Sequence, residues 1–185
     1  MMTAYNLLQT IGYYGFSSWV PTLLIAKHID VTKSLEYTFI MALAAPLGPL
    51  IGYFVADTIE RKWQVAGSAL AIAVFGLLFA QQTAAAPIIL FGILITMANN
   101  WLSFSFHAYQ AELYPTRIRA QAVGFVYSWS RFSVIFTSFI IAWVLHHYDV
   151  IGVFVFIAAA MIGVFLIIGI FGPRTNNLRL EEIAA

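Results

Sequence analysis

Six apolar stretches, each about as long as a bilayer-crossing helix, follow one another at about residues 7–25, 35–55, 63–80, 87–107, 120–145 and 151–171. A helix needs roughly 20 apolar residues to cross a hydrocarbon core of about 30 Å. Inside lipid every backbone polar group must be satisfied internally, so only helices or a closed barrel can span it. Barrel strands alternate with a period of two, and these stretches do not. The chain therefore reads as an all-α integral membrane protein with six transmembrane helices. Composition agrees: 62% of residues are hydrophobic and 9% are charged, against about 25% charged in soluble domains.

Several function classes drop out. The net charge is +1 and no basic patch is present, so nucleic acid is not an expected partner. There is no cysteine, hence no disulfide and no thiolate metal site. The opening MMTAYNLLQTIGYYGF has neither a basic leader nor a small-residue cleavage site, so it does not read as a signal peptide. No phosphate loop, metal-ligand histidine pair or nucleophile elbow occurs. The expectation is no enzyme, no catalytic residue, no cofactor and no metal.

The charges lie between the spans. Arg61 and Lys62, Arg117 and Arg119, and Arg174 and Arg179 fall on one side; Lys27 and Lys33 fall on the other. This bias predicts both termini in the cytoplasm. The expected organisation is one six-helix bundle over 1–172 and a cytoplasmic tail over 173–185. The lipid bilayer is the first partner, in a bacterial inner or plasma membrane.

Polar residues within a span need partners, so their spacing marks interior faces. Asn6, Gln9, Tyr13 and Ser17 share a face of the first span. Thr96, Asn100, Ser103 and His107 share one on the fourth, with Asn99 beside them, and Gly124, Tyr127, Ser128, Arg131 and Ser138 share one on the fifth. The three faces can line one water-accessible cavity; the alternative is hydrogen bonding between helices. The substrate-cavity candidates are Gln9, Tyr13, Ser17, Asn99, Asn100, Ser103, Tyr127 and Arg131. Tyr13, Tyr14, Trp19 and Trp101 also suit interfacial anchoring.

The other spans read as packing elements. Ala45, Pro49, Gly52 and Ala56 form a small-residue stripe on the second, where Pro46 and Pro49 invite a kink. Ala66, Ala69, Ala73, Gly76 and Ala80 form a row on the third, and the sixth reads as peripheral.

Arg131 stands about 16 Å into its helix from Ala120. An arginine near mid-membrane costs roughly 2.5–3.5 kcal/mol on insertion scales. It reads either as a carboxylate clamp or as a structural residue on neighbouring carbonyls. No acid falls near mid-membrane, so a buried carboxylate proton carrier is not expected, and His107 reads as a hydrogen-bonded structural histidine. Two clusters flank helix ends: Asp57, Glu60, Arg61 and Lys62, then Glu112, Arg117 and Arg119. They suit either a charged latch or orientation alone.

These clusters carry a family resemblance. "DTIERKW" at 57–63 resembles the D-x-x-G-R-[RK] loop signature of major facilitator superfamily transporters, with Glu60 at the usual glycine. "ELYPTRIR" at 112–119 matches E-x-x-P-x-x-x-R through Glu112, Pro115 and Arg119. The tail "GPRTNNLRLEEI" resembles P-E-T-K-G-x-x-L-E-E. The chain thus resembles the C-terminal half of a transporter of the sugar-porter or metabolite:proton symporter type, although His107 replaces the sugar porters' tryptophan. The resemblance implies a twelve-helix fold, alternating access and a site between two halves. It implies a small organic solute, sugar-like or an organic acid, and coupling to protons. It further implies that Asp57, Arg61, Glu112 and Arg119 latch the inward side. A six-helix N-terminal half is then missing, encoded in the same full-length chain or in a companion; a dimer, a non-transporting six-helix scaffold or a truncated remnant are the alternatives.

Overall fold

The computed structural model describes residues 1–56 and 58–173. The described residues form helices and turns, with no strand. The order is α1 (Met2–Ser17), α2 (Val20–Ala26), α3 (Val31–Ala42), α4 (Leu47–Val55), α5 (Arg61–Gln81), α6 (Ala85–Glu112) and α7 (Arg119–Phe171). Asp57 and residues 174–185, including the tail motif, lie outside the described residues.

The first two apolar stretches are each broken into two helices, and proline supplies the reason. Pro21 opens α2 and has no N–H to donate to Ser17. The chain tightens beforehand, Trp19 N–H bonding Phe16 O at 3.1 Å. Pro46 acts likewise at the start of α4, after three-residue bonds from Ala44 to Met41 and from Ala45 to Ala42. Pro49 lies in the first turn of α4, where an N–H has no intrahelical partner anyway. The break in the second stretch matches the expected kink, whereas the break in the first had been read as continuous helix.

At the far end of α2, His28 takes φ 63°. Its N–H bonds Ile25 O and the Ile29 N–H bonds Leu24 O, which is a Schellman ending with histidine in glycine's usual place. Lys27 beside it donates to Ala80 O and Gln82 O, both at 2.6 Å. Partial burial lowers the Lys27 pKa from the usual lysine value. This tie clips the α2 end to the α5–α6 turn.

The 53 residues of α7 would extend about 80 Å as one straight helix, far beyond a core of about 30 Å. They fold back at Asp149, where φ 55° and ψ −167° interrupt the helix. The antiparallel register shows in what meets α1. Ser133 Oγ bonds Leu7 O, while Leu8 meets Gly163. One level further along, Gly15 faces both Ile141 and Ile157. The limbs 119–148 and 150–171 therefore stand side by side, which makes six membrane-crossing segments.

Packing in lipid depends on close contact and interhelical hydrogen bonds, because lipid is as apolar as leucine. Phe16, Phe79 and Phe154 meet at centroid distances of 5.1 to 6.2 Å, joining α1, α5 and the last limb. The alanine row of α5 packs as expected, with Ala66, Ala69 and Ala73 buried. The α4 stripe differs by one position. Gly48 and Gly52, four apart, press onto α6, and a Cβ on Gly48 would lie 2.7 Å from Trp101 N. The last limb has one exposed face, carrying Ile151, Val155, Ile162, Leu166 and Ile170, and one packed face. Val153, Phe154, Ile157, Met161, Val164 and Ile168 are buried there, because Gly12 leaves room for Met161 and Gly163 for Leu8.

Candidate functional site

The cavity candidates gather around two adjoining hollows that share Tyr13. The expectation was one cavity. The larger hollow has a volume of about 210 Å³. Its polar wall consists of Tyr13, Ser17, Thr38, Thr96, Asn99 and Asn100, from α1, α3 and α6, with Phe16, Val20 and Met41 among its apolar residues. The smaller hollow, about 100 Å³, is lined by Gln9, Tyr13, Tyr14, Ser103, His107 and Tyr127, together with Ser130. Several stripe members lie elsewhere. Asn6 is fully buried and donates to Met2 O. Ser128 and Ser138 are exposed and bond to their own helix.

Arg131 stands beside the smaller hollow, exposed. Nη1 donates to Tyr14 Oη at 2.9 Å and Nη2 donates to Tyr127 Oη at 2.8 Å. The guanidinium carbon also lies 5.0 Å from the Tyr127 ring centroid and 5.9 Å from that of Tyr14. Among the described residues neither a carbonyl nor an acid holds it; two phenols do, orienting the plane while leaving it positively charged. The sequence leaves Tyr14 as either an interfacial anchor or a ligand contact. Its contact with Arg131, 117 positions away, has no local signal in the sequence.

His107 makes the hydrogen bond expected of it. Its Nδ1 sits 2.6 Å from Ser103 O. A carbonyl can only accept, so Nδ1 carries the proton and Nε2 is left for another partner. The ring also faces Tyr127 at 6.1 Å.

At the other candidate location, an ion pair among the described residues joins the two charged clusters. Arg61 Nε at the start of α5 meets Glu112 Oε1 at the end of α6 at 2.6 Å. Arg119 does not meet Glu112: its Nε donates to Tyr114 O at 3.2 Å, and its Nη2 has no hydrogen-bond partner among the described residues. The Arg61 and Glu112 side chains are about a quarter exposed. We expect Glu112→Gln to weaken this end by about 1 kcal/mol, which speeds local amide opening about fivefold. Hydrogen exchange at residues 60–64 measures it, and an unchanged rate would make the pair incidental.

Gln64 was not singled out from the sequence. Its Nε2 lies 2.7 Å from Ile59 O, 3.3 Å from Val55 O and 3.5 Å from Ala56 O. Its Oε1 accepts from Ser105 Oγ at 3.2 Å and from Trp101 Nε1 at 3.4 Å. One buried amide thus ties the end of α4 to α6. Trp101 is engaged there, away from both hollows. Nearby, Tyr109 Oη donates to Pro173 O at 2.9 Å and Lys62 Nζ to Gly172 O at 3.4 Å. The ends of four segments converge on this patch.

An all-helical bundle with membrane-crossing apolar segments, and with an arginine and two polar hollows on them, defines an integral membrane protein. The sequence profile of the Major Facilitator Superfamily matches residues 2–184, and the chain belongs to that family. It is 31% identical over 177 residues to the inner membrane metabolite transport protein YdjE of Escherichia coli, covering 95% of this chain and 39% of that protein. Its identity to the niacin transporter NiaP of Acinetobacter baylyi is 28%, over 93% of this chain and 39% of NiaP. The chain thus spans about two fifths of the length of these relatives. In fold it is similar to the POT family transporter PepTSo, with a TM-score of 0.82 at 13% identity, covering 96% of this chain and 38% of that one. The fold is therefore one half of a twelve-helix transporter fold.

Proposed function

We propose that this chain forms the C-terminal half of a secondary transporter that moves a small organic acid across the membrane by alternating access, coupled to protons. The N-terminal six-helix half comes from the same full-length chain or from a companion. The observation that carries this reading is Arg131. It is exposed on a membrane-crossing limb, yet held by two tyrosine hydroxyls beside a polar hollow. Facing lipid, such a charge is costly; facing a central pathway between two halves, it is a ready carboxylate partner. NiaP, whose name assigns it an acid, supports the choice of solute class.

In this reading the patch of Arg61, Glu112 and Arg119, with Asp57 from outside the described residues, faces the cytoplasm and latches the inward side. Both termini lie on that face, in a bacterial inner membrane. The polar hollow residues Gln9, Tyr13, Ser17, Asn99, Asn100, Ser103 and Tyr127 then form the half of the solute site contributed by this chain.

The test is uptake of radiolabelled niacin into proteoliposomes containing this chain with its complementary half. Arg131→Gln keeps a hydrogen-bonding side chain and removes the charge. Loss of the charge-assisted contact to the acid lowers uptake about tenfold or more. Undiminished uptake would remove Arg131 from the site.

A further inference from the structure

Among the described residues lining the larger hollow, one buried polar side chain is left unsatisfied by the fold. Ser17 Oγ, Thr38 Oγ1, Thr96 Oγ1 and Asn100 Nδ2 each donate to a carbonyl four residues back on the same helix, at 2.7 to 2.8 Å. Asn99 does not. It is 3% exposed, and neither its Nδ2 nor its Oδ1 has a hydrogen-bond partner among the described residues. Buried amides are nearly always paired, and an unpaired one calls for a water or a ligand. The hollow, at about 210 Å³, is several times the share of a single water, about 30 Å³.

The chemistry of the wall narrows what fits. Among the described residues no charged one lines this hollow, so a carboxylate there would lack a counter-charge. An amide side chain presents one donor edge beside one acceptor, whichever way it is turned. Its complement is another edge with an acceptor beside a donor, as in a primary carboxamide or a lactam. Two parallel hydrogen bonds then pair both Asn99 atoms. A carboxylate would pair Nδ2 and set its second oxygen against Oδ1.

Resting on the reading above, we propose that Asn99 is a specificity-determining residue, selecting solutes that carry a neutral donor–acceptor edge in addition to the acid held by Arg131. The two ends of the solute are thereby sorted between the hollows, the charged end to the arginine and the neutral end to the amide.

The chain has no cysteine, so a single Ala42→Cys on the wall of this hollow provides the only thiol. Ala42 is exposed and lines the hollow. The chain, assembled in lipid nanodiscs with a cysteine-free complementary half, is alkylated with a small uncharged maleimide, with benzamide or benzoate as competing probes. Benzamide should slow alkylation about fivefold more than benzoate does at equal concentration, the effect of about one further hydrogen bond. Adding Asn99→Asp, which keeps the shape and removes the donor, or Asn99→Leu should abolish that difference. Equal protection by both probes, or a benzamide advantage that survives both substitutions, would mean that water alone satisfies Asn99. The inference then falls and the hollow stands as a solute site. No protection by either probe would remove the larger hollow itself from the site, while the Arg131 uptake test stands independently.

Discussion

Replacing Gly48 by alanine is expected to destabilise this bundle strongly. The added Cβ would overlap the Met97 carbonyl oxygen and lie 2.7 Å from Trp101 N and 2.8 Å from Asn100 Cβ. Two of those three neighbours are backbone atoms of α6, which cannot rotate aside. The helices must separate along their shared length, and the Gly52 contacts with Trp101 and Phe104 go with them. Overpacking costs typically about 1–3 kcal/mol, and a backbone clash belongs at the upper end. Gly67 is the control, with open space around it on the exposed face of α5. There alanine is expected to be neutral or to stabilise by about 0.5–1 kcal/mol, through helix propensity. Thermal unfolding in detergent, followed by circular dichroism, compares the two. A Gly48→Ala midpoint equal to that of Gly67→Ala would show that α4 does not rest on α6 as described.

Gln64→Leu is expected to release the end of α4. Leucine fills similar space but cannot bond the Val55, Ala56 and Ile59 carbonyls, and it leaves the Ser105 and Trp101 donors facing carbon. Each lost hydrogen bond is worth about 0.5–1.5 kcal/mol, and each buried group left unpaired costs about 1–3. Some carbonyls retain backbone partners: Val55 O still accepts from the Thr58 and Ile59 amides. A net loss of about 3 kcal/mol is therefore expected, roughly a hundredfold in local opening. Hydrogen exchange at Thr58 and Ile59 reads it directly. The same experiment on Gln82→Leu, whose exposed amide bonds only Leu78 O, should show little change. Similar rates in Gln64→Leu and wild type would reduce the five contacts of Gln64 to coincidence.

The membrane-crossing segments were legible because hydrophobicity over about 20 residues is an additive signal. Proline was legible as a kink at Pro46, where two prolines and two glycines cluster, and was overlooked at Pro21 within a smooth apolar run. Polar positions were harder. Helical spacing groups side chains by face, but it does not say whether the face meets a cavity or a neighbour. On the fifth segment, Tyr127 lines the smaller hollow and holds Arg131 beside it, while Ser133 and Thr137 are buried, Ser133 bonding Leu7 O on α1. Asn99 and Asn100 are adjacent and both line the larger hollow, yet only Asn100 finds a donor bond on its own helix. The pairing of Arg61 with Glu112 joins clusters that lie far apart in sequence and meet only because α5 and α6 are antiparallel neighbours. Gln64 was hidden for a related reason: three of its contacts are to backbone oxygens, which no side-chain pattern records.

The reversal at Asp149 has a mechanical consequence. A single residue joins limbs 119–148 and 150–171, so the connection contains no slack. Sliding one limb by one residue past the other would turn it about 100°. A slide of limb 150–171 would carry Gly163 away from Leu8 and Ile157 away from Gly15, and a slide of limb 119–148 would carry Ile141 away from Gly15. Any rocking that tilts Arg131 must therefore carry the whole hairpin as one strut, with α1 braced against both of its arms.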